Sequence, residues 1–186
     1  MATLYSLTIN PDKRTSRFVD GQKKSFKVST GSFASSNSKA HITIAEFLAT
    51  PEDIIYLMKR LKAYAKSQEK LNALFDSLSC SSYSNCAVYL PAPDDESKIH
   101  KIIKEVRELI RMEKSKICKP HISLGRKLSE LQLKFAEENF GKVKFNCEIG
   151  QIALRKFNPT IGQFTIENKF SFGGDRSGGI QLSFWS

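Results

Sequence analysis

His41-Ile42-Thr43-Ile44 and, eighty positions later, His121-Ile122-Ser123-Leu124 follow one template: histidine, apolar, hydroxyl, apolar. Successive side chains of a β-strand alternate between faces, so each tetrapeptide puts its histidine and hydroxyl on one surface and its two aliphatic groups on the other. The template reads as two strands, each carrying a polar pair on an apolar base. One His-x-Thr alone has little weight, because a lone histidine on a half-buried strand is usually a satisfied structural residue. Here two of the three histidines share the frame, and a helix start follows each. After the first come Thr50-Pro51-Glu52-Asp53, a capping residue, a proline at the first helical position and acids in the first turn. After the second, Ser129-x-x-Gln132 resembles a capping box.

Outward from these points, Ile54, Leu57, Met58, Leu61, Tyr64 and Ala65 recur at helical spacing, as do Ile99, Ile102, Ile103, Val106, Leu109 and Ile110 behind the acids Asp94 and Asp95. Both stripes read as core faces. Between the two helices, short strands are expected near 74–78 and 86–90, separated by the polar turn CSSYSN. Upstream, residues 4–9 form an opening strand and 16–28 hold a helix despite Gly21, while the serine-rich 29–39 is expected to be a mobile loop. Downstream, the second motif strand covers 121–125, a shorter helix ends near Gly141, and strands follow over 144–157 and 163–172. The pattern predicts an α+β fold, one domain over 1–186 made of two loosely similar halves, each with an antiparallel sheet and helices. Its core spans about 3–172, and 173–186 is read as a glycine-rich loop, GGDRSGG, and a terminal edge strand, IQLSFW.

The chain has 186 residues with 29 Lys and Arg against 19 Asp and Glu, a formal charge of +10 that favours a phosphate-bearing partner. The partner fits RNA or a nucleotide. Cys80, Cys86, Cys118 and Cys147 form no C-x-x-C pair and no regular spacing, so neither a zinc ribbon nor a disulfide framework is signalled. A reducing cytoplasm is expected. No apolar stretch reaches 18 residues and MATLYSLTIN lacks a secretory pattern, so no membrane association is expected.

Two imidazoles and two hydroxyls facing one another across a cleft are what phosphodiester cleavage without a metal requires. One neutral histidine takes a proton from the attacking water and the other, protonated, gives one to the leaving oxygen, since an ordinary pKa near 6.5 allows both forms. Thr43 and Ser123 can donate to the non-bridging oxygens, where charge must be held. Arg126 can clamp a phosphate, and Lys119, with Lys114, Lys116 and Lys127 nearby, can track a nucleic-acid backbone. His100 has no similar neighbours and is read as a surface residue. No H-E-x-x-H or clustered ligand spacing occurs, so no metal site and no cofactor are expected.

With HITI at His41 and HISLGR at His121, their spacing and the strand and helix order, the chain resembles the two-histidine (2H) phosphoesterase superfamily over residues 3–172, in particular its RNA 2',3'-cyclic phosphodiesterase and 2'-5' RNA ligase branch. The resemblance carries the paired histidines to His41 and His121, their hydroxyl partners to Thr43 and Ser123, and the following arginine to Arg126. It implies a bilobal fold around a central cleft, with one motif strand from each lobe at the cleft floor. It also implies a phosphoric diester hydrolase that opens cyclic phosphates of nucleotides or RNA ends, and a monomer is expected. Two other activities, 3'-5' RNA trimming and cleavage or joining of 2'-5' linkages, stay open beside it. So does a non-catalytic RNA-binding module, whose mark would be a missing histidine.

Overall fold

The computed structural model describes residues 2–110 and 119–173. The terminal strand expected after the glycine-rich loop, and Lys114, Lys116 and Cys118, lie outside the described residues. Four helices and seven strands follow in the order β1 (Thr3–Pro11), α1 (Lys13–Thr30), β2 (Ile42–Ala49), α2 (Pro51–Ser67), β3 (Leu71–Ser81), β4 (Cys86–Pro91), α3 (Pro93–Leu109), β5 (Ile122–Arg126), α4 (Glu130–Phe140), β6 (Phe145–Asn158) and β7 (Gln163–Ser171).

Capping chemistry sets most helix starts. Asp12 accepts from the backbone N–H groups of Arg14 (2.7 Å) and Thr15 (3.0 Å) to open α1, and also accepts from Glu148 N (2.9 Å), which ties the helix to β6. Thr50 with Asp53 and Ser129 with Gln132 form reciprocal capping boxes at α2 and α4. At α3 the cap position is Ala92, with no side-chain bond, and Asp95 in the first turn instead accepts from Leu74 N at 2.8 Å. Ile54, Leu57, Leu61 and Ala65 of α2 and Ile99, Ile102, Ile103 and Val106 of α3 are buried, as their spacing predicts.

The strands pair antiparallel in the order β2-β1-β6-β3-β4-β5, with β7 also on β6. The 14-residue β6 belongs to both halves. Its residue Ile149 pairs with Pro11 of β1 and with Leu71 of β3, on opposite edges. Before that point β6 pairs with β3, and beyond it β7 takes over the same edge. Two half-sheets result, β2-β1-β6-β7 and β6-β3-β4-β5, in the α+β architecture of two similar halves that the sequence predicts. The helices interlock them: α1, which follows β1, packs against β5, and α3, which follows β4, packs against β2. Phe145 sits at the junction, 4.9 Å from Phe18, 5.2 Å from Phe75 and 5.6 Å from Tyr89 between ring centroids.

The serine-rich stretch differs from expectation. Instead of a free loop, it is anchored: Phe33 and Ser35 are buried, and the Phe33 ring lies 5.0 Å from that of Phe26. Buried Lys23 donates to Ser38 O (2.7 Å) and Ser38 Oγ (3.0 Å). The serines serve as compact hydrogen-bonding groups under a turn, a role that composition does not distinguish from a solvated linker.

Candidate active site

The two motif strands share a feature beyond their sequence. Pairing of β1 with β2 runs Leu7↔Ala45 and then Thr8↔Thr43, leaving Ile44 as an extra residue. Pairing of β4 with β5 runs Ala87↔Gly125 and then Val88↔Ser123, leaving Leu124 extra. Each motif therefore carries a β-bulge at its fourth residue. A bulge changes the alternation of faces, so that Ile44 and Ala45 are both buried, as are Leu124 and Gly125. In a regular strand an offset of five would send Arg126 to the face opposite His121. The bulge returns Arg126, and Glu46 at the matching position of the first motif, to the polar face. Gly125 also keeps this bend compact, since a Cβ there would lie 2.8 Å from Leu128 Cδ2.

The histidines are held alike. His41 Nδ1 lies 2.7 Å from Lys39 O, and His121 Nδ1 lies 2.8 Å from Lys119 O. A carbonyl only accepts, so each Nδ1 carries the proton, and each neutral ring keeps its lone pair on Nε2. Ile42, Ile44, Ile122 and Leu124 fill the core beneath them. Burial depresses the His41 pKa to about 4, the nearby Arg155 charge adds to it, and Lys23 and Arg126 push the same way against the Lys39 carbonyl. Burial likewise brings Lys23 down to about 8.

His41, Thr43 and Arg126 line one cavity of about 1030 Å³, together with Glu46 and Arg155. His121, Ser123 and Lys119 are not among its lining residues. The Lys119 carbonyl meets the His121 ring, while its ammonium is exposed and 3.9 Å from Glu96. Arg126 nonetheless ties the second motif strand to the first motif's approach, because its backbone N–H donates to the buried Ser35 Oγ at 3.0 Å, six residues before His41. Since Ser123 and Arg126 share a face of β5, the polar face of that strand turns toward the cavity at its Arg126 end.

Sequence reading missed Arg155, Glu46, Ser35 and Lys23. Arg155 had one available signal, a charge directly behind the apolar run Ile152-Ala153-Leu154. Glu46 had another, its position five residues after His41 that mirrors Arg126 after His121. Ser35 and Lys23 had none, since their partners lie 91 and 15 positions away, beyond the reach of any local pattern. Among the described residues no group of three or more His, Cys, Asp or Glu is placed to hold a metal ion, and no helix is long and apolar enough to cross a membrane. The cavity brings together a neutral imidazole, the Thr43 hydroxyl and the guanidinium groups of Arg126 and Arg155, groups able to hold and attack a phosphoryl centre.

A family model described as the 2'-5' RNA ligase superfamily matches residues 14–159, which contain both motifs. Among solved structures, E. coli LigT complexed with 3'-AMP matches with a TM-score of 0.68 and 13% identity over 92% of this chain and 99% of that one. A structure described as a phosphoesterase matches at 0.64 and 13% identity, covering 91% and 98%. TT0787 of Thermus thermophilus matches at 0.62 and 14% identity, covering 94% and 100%. At these identities the likeness is one of fold. No curated protein matches the chain.

Proposed function

We propose, from the premise that the chain belongs to the 2'-5' RNA ligase superfamily, that this phosphoester-acting enzyme hydrolyses 2',3'-cyclic phosphates of nucleotides or RNA ends with His41 and His121 as its acid/base pair. The observation that carries this reading is the matched pair of Nδ1 contacts, which leaves Nε2 of both imidazoles for proton transfer. His41, kept neutral by burial and by Arg155, takes the proton of the attacking water. The water oxygen bonds to phosphorus as the bond to the 3' oxygen breaks, and protonated His121 gives its proton to that oxygen, leaving a 2'-phosphate. Thr43, Ser123 and Arg126 donate to the non-bridging oxygens, where the transition state gathers charge. LigT has been solved with 3'-AMP and with phosphate, ligands of the class this reading requires.

The test is incubation with 2',3'-cyclic mononucleotides and with a cyclic-phosphate-ended RNA in EDTA, beside His41→Ala and His121→Ala variants. Wild type is expected to turn over both substrates, and each variant to lose on the order of 10²–10⁴ in kcat, the usual contribution of a positioned acid or base. A 2'-phosphate product assigns the proton donor to the 3' oxygen. Activity retained in both variants would remove the histidines from the mechanism.

A further inference from the structure

The cavity extends beyond His41 along one face of the half-sheet β2-β1-β6-β7, and strand register arranges that face in rows. Thr43, Thr8, Ala153 and Lys169 form one row, Glu46, Ser6, Arg155 and Ile166 the next, and Phe157 and Phe164 the third. The Arg155 guanidinium carbon lies 5.4 Å from the centroid of the Phe164 ring, and Phe157 meets that ring edge-on with centroids 5.4 Å apart. Both phenylalanines line the same cavity as His41, as do Ile161 and Ile166, which are 57% and 48% exposed.

Opening a phosphodiester needs none of these apolar groups. A guanidinium on an aromatic ring, with exposed aliphatic carbon around it, is instead the chemistry that stacks an unpaired nucleobase. Four residues of strand separate the Thr43 row from the phenylalanine row, roughly 13 Å at 3.3 Å per residue. That span is too long for the base of the nucleoside bearing the reacting phosphate, and suits its neighbour. Arg155 lies between, where the connecting phosphate would pass, and Lys169 stands in the Thr43 row on the same cavity.

We infer that Phe164, with Phe157 and Arg155, forms a stacking subsite for the base next to the terminal nucleotide, so that a single-stranded RNA end is preferred over a mononucleotide. This inference rests on the cavity being one for a phosphodiester, and its test separates the two. A 5'-fluorescein-labelled pentaribonucleotide with a 2'-phosphate end reports binding by anisotropy, independently of turnover. Phe164→Ala is expected to weaken it about tenfold, within the range found when a stacking aromatic is truncated, and Phe164→Trp to restore it. In parallel, Phe164→Ala is expected to raise KM about tenfold for a cyclic-phosphate-ended pentanucleotide at unchanged kcat, and to leave kcat/KM for the cyclic mononucleotide within twofold. Equal losses on both substrates, or an unchanged Kd with Phe164→Ala, would overturn the subsite. Weakened binding by Phe164→Ala together with no turnover by wild type would retain the subsite and sink the proposed chemistry.

Discussion

A histidine whose pKa lies at about 4 is neutral at every pH in the ordinary working range, and His41 owes this first to burial and then to Arg155. If it is the base, the acidic limb of kcat/KM, the fall caused by protonating the base, sets in only as pH approaches 4. A pH–rate profile checks this, and an acidic limb centred near 6.5 would contradict the environment described for the ring. The same shift has a stability consequence. Between pH 6.5 and about 4 the unfolded chain binds a proton at this histidine and the folded chain does not. Its contribution to stability is therefore complete above 6.5 and is lost as pH falls across that window. Urea midpoints measured over pH are expected to lose part of their slope there in His41→Ala. At this scale the histidines and hydroxyls are legible as a repeated four-residue pattern. Arg155 is not, because it reaches His41 only through the pairing of β6 with β1.

The helices show how far local chemistry goes. Thr50 and Ser129 each accept from the third residue of their helix while that residue returns the bond. Thr50→Ala and Ser129→Ala should each cost about 1 kcal/mol, which for a chain of this size is roughly 2–4 °C in Tm. Calorimetry or thermal circular dichroism reads the loss. Both caps are visible in sequence because the partners lie three residues apart. The bulges are not. Ile44 and Leu124 look like ordinary members of an alternating strand, and their extra status depends on the register of β1 against β2 and β4 against β5. Yet the bulge decides the site, because it turns Arg126 onto the polar face.

Across the whole molecule, the motif strands are at opposite ends of the strand order and are linked through the loop that precedes His41. Ser35 is the pin, 1% exposed and accepting from Arg126 N at 3.0 Å. Ser35→Ala leaves that N–H without its partner and is expected to cost about 1–3 kcal/mol. It should also lower activity by loosening Arg126 relative to His41. Denaturant midpoints together with kcat and KM test this, and a fall in stability with kcat and KM both unchanged would separate the pin from the chemistry.

By itself the sequence determined the α+β class, nearly every element and the two histidine frames, because periodicity, capping and turn signals act over a few residues. It also indicated the two-half layout, through the repeat of one motif followed by one helix start. Only the tertiary structure decided that β6 is shared by both half-sheets, that the serine-rich stretch is anchored, and that Arg155, Glu46 and the Phe157–Phe164 pair border His41. These depend on strand register and on packing between separate elements, which burial and hydrogen bonding settle without leaving a local pattern in the chain.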